Sequence, residues 1–348
     1  MPSPPHAGTT PSAFTRVNAG CAALLGVDRE QYARQLGMAP EHLAGDRYRT
    51  PSATNIRIWQ LMATQVHWTE AASAMTEHSR PGAFGVWDYL LTSAATPLDG
   101  LRDAAEHVGA IADVGSEALR ITEQDDRIVI SHANEADLTD ETAAAIRAFA
   151  AGLLRRRLSE AAQRDLVPLR VALATRAPRS HRALHGLYGT TAVEFEAPIS
   201  SISFAAADLR AVNPRTQPGL SALLRAHAER SVTEAVPLHG WLDVFRIAVG
   251  AVLREGGPTL AAVAQRLAIG PRTLQRRLDE HGTSWRAELQ SARCARVLDL
   301  LRSTELSLEA IAARTGYADA RALRRAVRQW SGRSPSALRS TDGPGDRP

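Results

Sequence analysis

The chain has 348 residues, 41 of them basic and 37 acidic, and every basic residue is an Arg. That length allows two domains, each with its own core, while the absence of Lys excludes a phosphate-loop lysine and a Schiff base. Cys21 and Cys294 lie far apart in apolar helical patterns, which excludes a Cys-rich metal site and makes each a small buried hydrophobe. Arg is as exclusive in the acidic N-terminal part as elsewhere, so its use reads as a coding bias. The net charge of +4 hides an asymmetry: residues 241–340 hold 17 Arg against 9 Asp and Glu, or +8, whereas residues 1–240 hold 23 against 26, or −3. A segregated basic segment is the footprint of a polyanion-binding module. No signal-peptide pattern opens the chain and no run approaches the roughly 18 apolar residues of a membrane span, so a soluble, cytoplasmic protein is expected.

Residues 1–12 are rich in Pro, Ser and Thr without periodicity and read as a disordered tail. Helical spacing of apolar residues then predicts helices over Phe14–Leu25, Arg29–Leu36 and Ser52–Val66. Pro81, Gly82 and Gly85 interrupt the series before short helices over Trp87–Leu91 and Pro97–Ile111. At Ala118–His132 the period becomes alternating on either side of Asp125 and Asp126, which predicts a hairpin. A long helix over Thr139–Leu158 follows, and its run Arg155, Arg156, Arg157 reads as a solvated helix end. Leu169–Ala174 and Val193–Phe204, broken at Pro198, add strands. The expected fold class here is α+β, mostly helical with a small antiparallel sheet. Helix Pro218–Ser231 closes this domain, Val232–His239 reads as a linker, and Trp241–Arg254 opens a second, all-α domain. The expected divisions are thus a tail (1–12), a sensing or dimerisation domain (13–235), a DNA-binding domain (236–340) and a tail (341–348).

The second domain contains a repeat. Thr259–Leu278 recurs as Ser307–Val327, with Leu260, Val263 and Ala264 matching Leu308, Ile311 and Ala312 at an offset of 48. After the turn the offset is 49, so that Arg272, Leu274, Gln275, Arg276 and Leu278 match Arg321, Leu323, Arg324, Arg325 and Val327. Each copy reads as helix, tight turn and second helix, the pattern of major-groove binders. At 100° per residue Arg272, Gln275 and Arg276 share one face, with Leu274 and Leu278 opposite; Arg321, Arg324, Arg325 and Arg328 form the second stripe. The connector Ser284–Arg302 is a helix nearly 30 Å long at 1.5 Å per residue, close to the roughly 34 Å between successive major-groove faces.

The last hundred residues closely resemble the AraC/XylS family of transcription regulators. The matching positions are Leu260, Val263, Ala264, Leu267 and the run PRTLQRRL; Arg293 and Leu300-Leu301; and Ile311-Ala312, Gly316-Tyr317, Asp319, Arg325, Gly332, Ser334-Pro335 and Arg339. The N-terminal part resembles the arabinose-binding-like sensor domain of one branch, most clearly at Pro81–Ala104. Gly270 departs from the usual capping Ser, and Leu323, Val327 and Leu338 stand where aromatic residues are common, with Trp330 as the candidate to fill that space. The resemblance and the helix faces together imply base reading by Arg272, Gln275, Arg276, Arg321, Arg324 and Arg325, and phosphate contact by Thr273 and Arg328. It further implies double-stranded DNA and RNA polymerase as partners, a small-molecule effector and a homodimer, with no cofactor and no enzyme activity; whether the protein activates or represses is left open.

Two other readings stay open. One is a constitutive or architectural DNA-binding protein that senses nothing, and the other is an enzyme fused to a DNA-binding module. For the latter only His181 and His185, spaced i, i+4, offer a metal pair, and no third ligand is near in sequence. Trp59, Trp68, Phe84, Trp87 and Tyr89 are candidate pocket residues that equally suit a core.

Overall fold

A computed structural model describes residues 6–28, 31, 47–217, 219–256, 258–267 and 269–339. The expected helix at Arg29–Leu36, apart from Gln31, and the tail at 341–348 lie outside them. The chain divides into two compact units with the boundary between His239 and Gly240.

Among the described residues the first unit holds strands β1 (Thr9–Pro11), β2 (Tyr48–Pro51), β3 (Glu117–Gln124), β4 (Arg127–Asn134), β5 (Arg170–Ala172), β6 (Val193–Glu194), β7 (Ser200–Ala205) and β8 (Val236–Pro237). They form two sheets, ordered β1-β2-β8 and β3-β4-β7-β5-β6. The five-stranded sheet is antiparallel except at its β5–β6 edge. Its hairpin turns at Asp125, whose φ of 50° is a left-handed conformation that Asp tolerates. Against the sheet lie the long helix Asp140–Ala162 and, at β3, Pro97–Glu106; Ser52–Ala63, Trp68–His78 and Val86–Ser93 pack on the long helix, and Ser12–Leu24 packs on Ser52–Ala63 and Trp68–His78. One apolar cluster joins Ile128, Ile130, Ile202 and Phe204 of the strands to Trp59, Trp87 and Phe149 of the helices.

Four features differ from the sequence expectation. Thr9–Pro11 belongs to the fold rather than to a disordered tail. Arg49, 3% exposed, donates to the Thr9 hydroxyl (3.0 Å) and carbonyl (2.8 Å) and to the carbonyls of Gly109 (2.6 Å) and Ala112 (2.9 Å). The polar composition that looked solvated thus satisfies a buried guanidinium. Val232–His239 is not a linker: helix Leu220–Thr233 runs into it, and β8 pairs in parallel with β2. Val236 and Leu238 donate to the carbonyls of Arg47 (2.7 Å) and Arg49 (2.8 Å), which moves the domain boundary from 235/236 to 239/240.

Helix Trp68–His78 gives a weak apolar signal because its buried face is largely small or polar, with Ala71, Ala72 and Thr76 beside Met75. Finally, Arg155–Arg157 is not a solvated helix end, since the helix continues to Ala162. Arg157 is fully buried. Its Nε and Nη2 donate to the Asp88 carboxylate (2.6 and 3.0 Å), and Nη2 also donates to the carbonyls of Ser79 and Arg80 (3.1 and 2.8 Å). Arg156 donates to the Thr76 carbonyl (2.7 Å), and Arg155 to those of Leu166 (3.1 Å) and Leu187 (3.3 Å). Carbonyls in the last turn of a helix lack intrahelical partners, and guanidinium groups supply several donors at once.

The described part of the second unit is all-α. Its helices are Trp241–Glu255, Leu260–Arg266, Pro271–Glu280, Trp285–Ser303, Leu308–Thr315, Ala320–Ser331 and Pro335–Arg339. Among the described residues no single helix is long and apolar enough to cross a membrane.

Candidate nucleic-acid interface

The repeat seen in the sequence is a repeat of local structure. In both copies the first helix is capped by a hydroxyl: Thr259 accepts from the Ala262 amide (3.1 Å) and Ser307 from the Ala310 amide (3.2 Å). The second helices start at Gly270 and Asp319. Asp319 accepts from the Ala322 amide (2.6 Å), whereas Gly270 has no side chain to do so and is followed by Pro271, which has no amide hydrogen to satisfy. The extra residue of the second copy lies in the turn, where Gly316 adopts a φ of 74° that a side chain disfavours.

The inner faces of these second helices are packed. Leu274 and Leu278 are buried in the first copy, and so are Leu323 and Val327 in the second. The latter pair joins Val297, Leu300, Leu301, Ile311, Ala312 and Leu338, with Trp330 packed against the cluster in place of the aromatics that Leu323, Val327 and Leu338 lack. The connector Trp285–Ser303 contributes to this core, and its 19 residues span about 29 Å. Its other end is tied to the opening helix Trp241–Glu255. Arg246 grips the buried Glu288 carboxylate through Nε (2.9 Å) and Nη2 (3.1 Å), and Thr283 donates to the same group (3.0 Å). The Arg246 hydrogen bonds hold the Glu288 carboxyl below the usual carboxylate range and raise the Arg246 guanidinium.

The outer faces carry the residues singled out from the sequence. Arg272, Gln275 and Arg276 are all exposed on Pro271–Glu280; Arg321, Arg324, Arg325 and Arg328 are all exposed on Ala320–Ser331. Thr273 is half-buried beside the first stripe. Arg276 pairs with Glu280 one turn on, both well exposed, and such exposed pairs contribute only about 0.3–0.5 kcal/mol. The cation thus exchanges readily for another partner. Arg277, by contrast, turns inward with its guanidinium 5.6 Å from the Trp241 ring. Arg293 likewise lies over Tyr317 at 5.9 Å, beside Gly316, which ties the connector to the second turn.

The residues of the alternative chemistries are disposed differently. Burial pushes the Cys21 thiol up to about 12 and also raises that of Cys294, so neither is poised as a thiolate. The His181 and His185 rings lie 5.9 Å apart, edge to face, with His181 against Phe195. Among the described residues no group of three or more His, Cys, Asp or Glu side chains is placed to hold a metal ion. Of the aromatic candidates, Trp59 and Trp87 line a small, partly open pocket and Phe84 packs on Phe14 and Phe149, whereas Tyr89 is exposed. Trp68 lies on a separate open groove of the first unit.

Two family models match the chain. Residues 263–341 fit a helix-turn-helix domain, and residues 26–213, more than half of the chain, fit the N-terminal arabinose-binding domain of AraC transcription regulators. An uncharacterised HTH-type transcriptional regulator of Mycobacterium tuberculosis is 41% identical over 87 residues, which are 24% of this chain and 25% of that protein. The ornithine utilization regulator of Pseudomonas aeruginosa is 29% identical over 175 residues, 50% of this chain and 51% of its own length. The chain thus spans a quarter to about half of these relatives. The crystal structure of the transcriptional regulator CdpR from Pseudomonas aeruginosa aligns over 82% of this chain and 91% of its own, at 22% identity and a TM-score of 0.39. With both its sensor-type and its helix-turn-helix segments matched, the chain belongs to the AraC family of transcription regulators.

Proposed function

We propose that the protein regulates transcription by reading two adjacent major-groove segments of double-stranded DNA, one with each second helix of its repeat. The observation that carries this is the pair of exposed, matching polar stripes, each set on a packed helix with its apolar side turned inward. Arg272, Gln275 and Arg276 read base edges in the first segment; Arg321, Arg324 and Arg325 read them in the second. Arg to guanine and Gln to adenine are the geometrically natural pairs, each supplying about 1–3 kcal/mol of discrimination. Thr273 and Arg328 contact phosphate and fix the register. Release of counterions by the stripes makes binding steeply dependent on salt. In this reading the first unit binds a small effector and joins two chains as a homodimer, and the regulator acts in the cytoplasm on RNA polymerase, without enzymatic activity of its own.

Titration of the protein's own upstream region tests this directly. Arg276→Ala and Arg325→Ala should each weaken binding by about 5- to 150-fold, the equivalent of one lost base contact. Unchanged binding in both variants would overturn the DNA-reading role of the stripes.

A further inference from the structure

The outer strands of the two sheets differ in length. Among the described residues β1, β6 and β8 have three, two and two residues, whereas β3, which ends the five-stranded sheet beside β4, has eight. An edge strand presents a row of unpaired backbone groups on which another chain can pair, and shortness or a Pro is a common guard against it. β3 has neither.

The register identifies the free groups. In an antiparallel pair, every second pair of facing residues exchanges both backbone hydrogen bonds, and the residues between turn theirs the other way. Glu135 donates its amide to the Ser116 carbonyl (2.8 Å), which makes Ser116 and Glu135 a bonded pair. Counting on in twos, Ala118, Arg120, Thr122 and Gln124 turn their amides and carbonyls to β4. The same parity bonds Gln124 to Arg127, the usual closure of a two-residue turn. Leu119, Ile121 and Glu123 therefore direct theirs outward. These amides and carbonyls have no hydrogen-bond partner among the described residues. Along this edge Arg120, Thr122 and Glu123 are exposed, and Leu119 and Ile121 are half-buried.

We propose that β3 pairs with β3 of a second copy, antiparallel across a two-fold axis at Ile121, and so joins the two five-stranded sheets into one. This rests on the reading of the first unit as the part that joins two chains. Only an axis at Ile121 sets all the outward residues of each copy opposite outward residues of the other, with Ile121 facing Ile121 and Leu119 facing Glu123. Each facing pair exchanges two bonds, about six in all. The same axis keeps like charges apart along the bonded stretch. Arg120 faces Thr122 and Ala118 faces Gln124, whereas an axis at Arg120 would set Arg120 against Arg120 and Glu117 against Glu123. Glu123 is already paired with Arg102 and Arg210 of its own chain. Glu117, hydrogen-bonded to His132 at 3.1 Å, comes opposite the turn, beyond the bonded stretch.

Sedimentation equilibrium of the full chain should show a dimer. Ile121→Pro removes the two donors on the axis and none that β4 uses, and Pro is tolerated on an edge strand where the missing amide faces outward. It should weaken the dimer about 5- to 150-fold, the loss of two hydrogen bonds. Cross-linking gives a second readout that does not depend on the Pro variant folding. Facing residues of a bonded pair have Cα atoms about 5.5 Å apart, within disulfide reach. In a Cys294→Ser chain, whose remaining Cys21 is buried, Ile121→Cys should form a disulfide-linked dimer on mild oxidation. Leu119→Cys should not, because its counterpart lies about 13 Å further along the strand. A native dimer that Ile121→Pro, correctly folded, leaves unchanged, or one in which Ile121→Cys links no better than Leu119→Cys, would overturn the seam while keeping the homodimer reading. A native chain that sediments as a monomer would overturn both.

Discussion

Arginine plays opposite parts in the two units. In the first, Arg157 is sealed from solvent on Asp88 and on carbonyls at the end of a neighbouring helix, with Arg156 on the Thr76 carbonyl of that helix and Arg155 on the carbonyls of Leu166 and Leu187. In the second, Arg321, Arg324, Arg325 and Arg328 project from a helix whose inner side is closed by Leu323 and Val327. The difference lies in what surrounds each helix. A helix packed on both sides must satisfy an Arg internally, because a lone buried cation is prohibitive. A helix packed on one side leaves its Arg stripe to an external polyanion. Arginine content alone therefore does not separate the two roles; the side on which each helix is packed does.

The largest expected effect comes from breaking the inner arrangement. Arg157→Ala strands the buried Asp88 carboxylate and should destabilise the first unit by about 3–5 kcal/mol; adding Asp88→Asn should recover part of this, as read by urea unfolding. On the outer arrangement the same substitution should behave in reverse. Arg321→Ala or Arg324→Ala should change stability by no more than about 0.5 kcal/mol, while costing about 1–3 kcal/mol in binding to the upstream region. Arg155→Ala is the intermediate case. Its guanidinium is part-buried on two carbonyls, and unfolding should show a loss of about 1 kcal/mol with DNA affinity unaltered.

The smallest effect concerns the frame that holds the outer stripes. The Glu288 carboxyl titrates below its unfolded value of about 4.3 because Arg246 favours its charged form. Its contribution is therefore complete above pH of about 4.3 and is lost as pH falls through the lower folded value. Arg246 is half exposed, which limits the contribution to about 1 kcal/mol or less. Glu288→Gln should lower stability at pH 7 and flatten this acid limb in thermal melts.

Much of the second unit was legible because its signals are local and repeated. Offsets of 48 and 49 place the one-residue insertion in the turn, and the caps Thr259 and Ser307 keep the same register. The first unit depends on partners distant in sequence. Nothing near Thr9 announces Arg49, nothing near Arg157 announces Asp88, and β8 is a strand only because β2 lies beside it. The His132–Glu117 pair was equally hidden, since it joins side chains from the two strands of the hairpin. Alternation in β4 identified the strand but not this contact.

Two feet held at one spacing are tested most directly by hydroxyl-radical footprinting on the upstream region. The native chain should protect two segments about 34 Å apart on one side of the duplex, one helical turn. Arg276→Ala should clear one segment and Arg325→Ala the other. Simultaneous loss of both segments in each variant, or a single protected segment in the native chain, would contradict the two-footed arrangement.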